Sequence, residues 1–339
     1  IMEHSVLCGS KNFPAKDPFV ELVKGSLNTF LNAMTYPDKT CYPVASCNDK
    51  DFQNLMHVYL DAVFYPNIYK REEIFRQEGW NYHLEQKEGP LKYNGVVYNE
   101  MKGAFSSPDE VLEREIMNHL FPDTTYGCES GGDPKNIPDL TYENFLNFHR
   151  TYYHPSNSYI YLYGIWIWKR TRHSWMSIIC RILYYLDVDS VIQEQKAFGA
   201  CQDVTLEYPV AENEGEEDNT YLSYNMVVGN AADSQMAMAF EVLDYALLSA
   251  PGAPLKQALL DVKAGKDVYG SYDDGILQPY FTVIAKGSNP DRKEEFVSVI
   301  RQVLGDIVKN GIDRKAVEAG INYLNSAIVK LIFPLIRKD

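Results

Sequence analysis

Ile1-Met2-Glu3-His4-Ser5-Val6-Leu7-Cys8-Gly9-Ser10 opens the chain, and Val96-Val97-Tyr98-Asn99-Glu100-Met101-Lys102-Gly103-Ala104-Phe105 stands far downstream. A glutamate beside a histidine is by itself an ordinary pair that chance places in most proteins of this size. Its meaning depends on its surroundings. Between the two segments, Asn32 to Thr35 and Thr40 to Val44 read as strand-like stretches broken by a turn at Pro37-Asp38. Residues 92–98 read as a short β-rich stretch running straight into Asn99-Glu100-Met101-Lys102.

Helical signals surround these strands. Asp17 before Pro18 is an N-cap followed by proline at the first helical position, and Phe19, Leu22, Val23, Leu27 and Phe30 then recur at helical spacing. Phe52, Leu55, Met56, Tyr59, Leu60 and Val63 mark a second amphipathic helix, and residues 109–120 a third. Gly131-Gly132-Asp133-Pro134 reads as a loop. Thr141 caps a helix carrying Phe145, Phe148 and Tyr152, and Tyr159 to Tyr163 reads as a strand. A second unit begins near Asp187. It holds a solvated acidic loop from Glu212 to Asp218, a strand from Tyr221 to Val228, and helices over 235–248 and 293–309. Strands mixed with packed helices predict an α+β architecture of two related units in tandem.

Composition removes several function classes. A length of 339 residues suggests about two domains. Apolar residues at 45% and charged residues at 23% exclude a disordered chain, a collagen and a coiled coil. The net charge of −14 argues against gripping phosphate backbones, so no nucleic-acid partner is expected. No apolar run reaches the length of a membrane span. The opening residues show no basic and apolar leader, which reads as a cytoplasmic protein. Six dispersed cysteines, none in C-x-x-C, read as free thiols of a reducing compartment.

Together these segments resemble the pitrilysin/insulinase family of zinc peptidases, most of all its presequence-protease subfamily. The opening stretch looks like the tail of the inverted zinc motif H-x-x-E-H, whose first histidine would stand one position before Ile1. Val96 to Phe105 resembles the distal-glutamate segment, and Asn32-Ala33-Met34-Thr35 the substrate-binding edge strand. Asp51-Phe52-Gln53-Asn54-Leu55, Gln77-Glu78-Gly79-Trp80 and Tyr153-His154-Pro155-Ser156-Asn157 fit as well. The resemblance runs through residues 1–164 almost continuously and is weaker over 187–324.

The resemblance implies a fold of tandem insulinase-like (mitochondrial-processing-peptidase-like) domains, each an antiparallel-rich sheet packed with helices. It implies Glu3 as general base, His4 and Glu100 as zinc ligands, and Asn32 and Ala33 as edge-strand backbone for an extended peptide. The physical logic agrees. Histidines at i and i+4 share a helical face and one zinc ion, a glutamate beside them takes a proton from the metal's water, and a distant third ligand completes the site. An edge strand reads backbone more than sequence. The implied function is a zinc endopeptidase hydrolysing unfolded oligopeptides within a chamber closed by a C-terminal half. Glu78 reads either as an acid that orients a ligand or, more simply, as a surface salt bridge. His154 reads as a structural loop residue, His57 as a packed or surface histidine, and the cysteines as non-ligands.

Two departures modify these expectations. With only His4 and Glu100 as ligands and a first strand missing, this chain alone is expected to hold zinc weakly or not at all and to be inactive. Residues 165–186 carry three of the four tryptophans, beginning Ile165-Trp166-Ile167-Trp168-Lys169-Arg170. A reading frame shifted by one base can turn that run into the family-like Asn-Met-Asp-Met-Glu-Glu. The domain reading is therefore 1–164 catalytic, 165–186 an aberrant linker, 187–324 a partial second domain, and 325–339 an aberrant tail that fails to finish its helix. A lineage-specific insertion is the alternative for 165–186. A peptide-binding or scaffold homologue and a product of a broken reading frame are the alternatives for function.

Overall fold

The computed structural model describes residues 1–164, 185–210 and 215–336. It divides into two compact units: Ile1–Glu110 with Cys128–Ile192, and Val111–Gly127 with Gln193–Asp339. The reading of 165–186 lies outside the described residues apart from Tyr185 and Leu186, and Glu212 and Glu214 of the acidic loop lie outside them too.

In the first unit, local signals set most of the helices. Helix α1 (Met2–Val6) is short and buries Met2, Ser5 and Val6. Helix α2 (Pro18–Gly25) starts as predicted, with the Asp17 carboxylate accepting from the Val20 amide at 3.1 Å. It stops at Gly25, however, and Phe30 lies in strand β1 (Asn28–Leu31). Gly25-Ser26 ends the helical run because glycine is costly inside a helix, and Phe30 then joins a ladder. Strands β2 (Met34–Thr35) and β3 (Thr40–Cys41) form a hairpin shorter than the expected 32–35 and 40–44, with Asn32, Ala33, Tyr42 and Pro43 outside both strands, and the Tyr36 amide closes it by donating to the Lys39 carbonyl at 2.8 Å. Strand β4 (Val44–Ser46) pairs with β1.

Helix α3 (Asp49–Phe64) follows, capped by Asn48. Helix α4 (Glu72–Glu78) ends at Gly79. The hairpin β5 (Asn81–His83) and β6 (Lys92–Asn94) leads through Gly95 into α5 (Val96–Ala104). The β-rich reading of 96–98 is thus corrected: these residues are the first turn of α5, and Val97 is buried by it. Helix α6 (Pro108–Leu120) begins within the first unit, and α7 (Tyr142–Tyr152) carries the expected Thr141 cap, completed as a capping box with Asn144. The core joins Met2 and Val6 to Ile68, Ile74, Phe75, Phe145 and Leu146. Tyr159 to Tyr163 forms no strand: its backbone pairs with no strand among the described residues, and Tyr159 and Tyr161 are exposed.

The second unit is an antiparallel sheet with helices packed on it. Strand β7 (Thr220–Val227) is followed by α8 (Ser234–Asp244), a π-helical turn at Tyr245–Ser249, and α9 (Pro254–Asp261). Strands β8 (Asp267–Asp273) and β9 (Tyr280–Ser288) complete a sheet of order β7-β9-β8. Helix α10 (Lys293–Asn310) sends Phe296 and Ile300 into a core with Leu255, Leu259, Val268, Phe281 and Val283. Helix α11 (Arg314–Ile336) runs on through the tail that was expected to break. Its sequence from Arg314 has no glycine or proline between Gly320 and Pro334, so the backbone ladder continues.

His149 on α7 gives the first unit a pH dependence. Its Nε2 lies 2.9 Å from the Val63 carbonyl, which can only accept, so Nε2 carries the hydrogen and Nδ1 accepts from the Tyr69 hydroxyl at 2.7 Å. Burial lowers its pKa from 6.5 to about 4, with the Val63 bond acting the other way. The folded imidazole stays neutral while the unfolded one protonates below 6.5. The associated stability is therefore complete above that pH and is lost as pH falls toward 4, by about 3 kcal/mol in all. Urea titrations at about pH 7.5 and about pH 5 should show the chain losing about 2 kcal/mol more than a His149→Gln variant does. Equal losses would refute the assignment.

Candidate active site

Apolar anchors decide where the polar groups go. Met2 and Val6, four residues apart, bury one face of α1 and turn Glu3 and His4 to another. Ile74 and Phe75 fix α4, and Glu78, four residues after Ile74, is carried inward on the same face. Val97 fixes α5, and Glu100, three residues later, sits beside His4 with most of its carboxylate exposed.

The two carboxylate helices are held at close quarters by glycine. A Cβ on Gly95 would stand 2.1 Å from the Gly79 carbonyl oxygen. Only a residue without a side chain lets the start of α5 lie against the end of α4. Gly95→Ala should destabilise the first unit by about 3 kcal/mol, checked by urea unfolding, because the obstacle is backbone that cannot rotate away.

His4 is the centre of the constellation. Its Nδ1 lies 3.3 Å from Glu78 Oε2, and its Nε2 faces Glu3 Oε2 at 3.6 Å and Glu100 Oε2 at 3.8 Å. The surface salt-bridge reading of Glu78 is corrected: its exposure is 6%, and its other oxygen accepts from Gln77 at 2.9 Å and from the Cys8 thiol at 3.6 Å. The hydrogen bond to Glu78 raises the pKa of His4; burial works against this and the Glu3 charge with it. Burial alone would raise Glu78, but its bonds to His4, Gln77 and Cys8 hold it below the usual carboxylate range. Burial, with Glu78 beside it, pushes the Cys8 thiol up to about 12. At neutral pH Cys8 therefore stays protonated and donates to Glu78.

Asn32 and Ala33 occupy the break between β1 and β2. The Asn32 amide donates to the Pro43 carbonyl at 3.2 Å, and the Ala33 amide to the Asn32 side-chain oxygen at 2.9 Å. From β2, the Thr35 hydroxyl reaches Glu3 Oε2 at 3.5 Å, a contact the sequence reading did not name. His154 caps the turn Pro155–Asn157 and His57 packs edge-on against Phe13, both away from this constellation.

The pattern of the Peptidase M16 inactive domain matches residues 184–324. Protein HypA of Clostridium perfringens is 55% identical over 322 residues, which cover 95% of this chain and 33% of that protein. The chain belongs to the pitrilysin/insulinase family of peptidases and is presequence-protease-like. Presequence protease 1, chloroplastic/mitochondrial, of Arabidopsis thaliana is 42% identical over 339 residues, 97% of this chain and 31% of that protein. The crystal structure of pitrilysin superposes with a TM-score of 0.57 at 16% identity, over 100% of this chain and 34% of that one, a likeness of fold. The chain spans about a third of the length of the curated relatives it matches. The cytoplasmic reading is overturned, since relatives are named for the chloroplast and mitochondrion and HypA is bacterial. Among the described residues no helix is long and apolar enough to cross a membrane.

Family membership implies zinc, and the residues present allow a partial fit. One imidazole nitrogen with a carboxylate beside it is a suitable donor set. Among the described residues, however, no group of three or more His, Cys, Asp or Glu side chains is disposed to hold a metal ion. His4 and Glu100 fit as two donors, and a catalytic zinc needs three. Competition with a chromophoric chelator should therefore find weak zinc binding to the 339-residue chain, weakened a further tenfold or so by Glu78→Gln, which loosens the His4 ring. One tightly held ion per chain, indifferent to Glu78, would contradict this.

Proposed function

We propose that residues 1–164 are the catalytic domain of a zinc endopeptidase that cleaves unfolded oligopeptides, and that 187–324 belong to a second domain of the same half. The observation that carries this is the convergence of Glu3 and Glu100 on His4 Nε2, while buried Glu78 holds Nδ1.

Each residue has a distinct part. Glu78 accepts from Nδ1–H of His4, which leaves the Nε2 lone pair directed at the two other carboxylates. His4 and Glu100 would hold zinc together with a histidine of the complete H-x-x-E-H motif. The ion, when bound, supplies a water of lowered pKa and a charge that polarises the scissile carbonyl. Glu3 is the general base. Its Oε2 is engaged by Thr35, which leaves Oε1 to take a proton and pass it to the departing amine. Asn32 and Ala33 offer a peptide backbone: the Ala33 amide is held only by its neighbour's side chain, a bond that an incoming carbonyl can replace. A further half of the enzyme would enclose the substrate.

The test assays the full-length protein, with the residues that precede Ile1, on an unfolded peptide with a quenched fluorophore. We expect zinc-dependent cleavage that Glu3→Gln lowers by about 10²–10⁴-fold while zinc stays bound. Stoichiometric zinc without cleavage would instead favour a peptide-binding or scaffold homologue.

A further inference from the structure

The hairpin β2–β3 touches the base at one end and the body of the unit at the other. At the near end, the Thr35 hydroxyl lies 3.5 Å from Glu3 Oε2, the same oxygen that faces His4 Nε2. At the far end, the Tyr42 hydroxyl, two residues past Thr40, lies 2.9 Å from that of Tyr153, directly after α7. The Tyr42 and Tyr153 rings meet edge to face at 6.4 Å, and both pack against the core that holds Met2 and Val6. Burial raises the pKa of both phenols, and the Glu3 charge acts in the same direction. Thr35 also pairs with Thr40 across the hairpin, which makes the connection between the two ends stiff.

We propose that Thr35 is a positioning residue: anchored through the hairpin by Tyr42 on Tyr153, its hydroxyl holds one oxygen of Glu3 in register with a peptide seated along Asn32 and Ala33. The inference rests on the base role of Glu3 proposed above. Its physical content is that the backbone offered to the peptide runs directly into the strand that carries the group orienting the base, Asn32 and Ala33 immediately preceding β2. A peptide drawn onto the strand is then placed relative to Glu3 Oε1 without any further motion. A carboxylate free to rotate would spend much of its time with neither oxygen aimed at the reacting water, and a misplacement of about 1 Å can cost about a hundredfold in rate.

The variants are Thr35→Val, which keeps shape and loses the hydroxyl, and Thr35→Ser, which keeps it. In the full-length protein with its motif complete, Thr35→Val should lower kcat about tenfold or more with KM within about twofold, and Thr35→Ser should restore most of it. A merely structural role would not separate Val from Ser in this way. In the 339-residue chain, melting shifts for Thr35→Val, Glu3→Gln and the double variant should be non-additive. An unchanged kcat in Thr35→Val overturns the proposal. If no form cleaves any peptide, the peptidase reading falls, and the cycle alone decides: additive shifts overturn the Thr35–Glu3 contact and non-additive shifts support it.

Discussion

The close approach of Gly95 to the Gly79 carbonyl is the constraint on which the rest of the site depends. It sets the separation between the end of α4 and the start of α5, and hence between Glu78 and Glu100. The hairpin β5–β6 spans the same gap with Asn81 paired to Asn94, so chain connectivity and backbone contact impose the same spacing. His4 enters from a third element, α1, which Met2 and Val6 anchor in the core. Three apolar anchors on three helices therefore bring together groups 74 and 96 residues apart from His4 along the chain, counted as 78 − 4 and 100 − 4. No polar attraction is needed to assemble them.

Polar attraction does decide what the assembled site can hold. Three carboxylates around one imidazole form a concentration of negative charge that is unfavourable unless something positive stands among them. The raised pKa of His4 is one response, since an imidazolium would share charge with Glu78, Glu3 and Glu100. The division of labour follows burial. Glu78, shut away from water and held by three donors, is fixed in place. Glu100, with much of its carboxylate in solvent, can turn toward a ligand at little cost.

What the sequence disclosed follows the range of the interaction involved. Asp17 with Pro18 and Thr141 with Asn144 are contacts within a few residues, so both helix starts were readable. Phe30 and Val96 to Tyr98 were misread because their state depends on partners elsewhere: β4 for the one, the Gly79 contact and the burial of Val97 for the other. Tyr159 to Tyr163 has strand-like residues, yet a strand needs a neighbour, and composition cannot supply one. The central strand β9 went unread although Tyr280-Phe281-Thr282-Val283-Ile284-Ala285 is a short, nearly continuous apolar run, the mark of a strand covered on both faces. Glu78 was underrated for a similar reason. Its distance of four from Ile74 and three from Phe75 places it on the buried face, a signal available from helical geometry alone.

The second unit has the same kind of architecture without a counterpart of Glu3 and His4 on one helix among its described residues. It has an antiparallel sheet, packed helices and a core as well formed as that of the first. Its one histidine, His119, is paired only locally among the described residues: Nδ1 lies 2.8 Å from the Glu115 carbonyl and 3.8 Å from the Glu115 carboxylate, one helical turn back. The pattern it matches is named for an inactive domain. The difference between the units lies in a few side chains on faces the core leaves unused, above all the face of α1 that Met2 and Val6 turn away from the interior. Packing dictates that such a face exists, and it does not dictate what stands on it. Glu3 and His4 are thus not called for by the apolar core, which is why their presence there is informative about function.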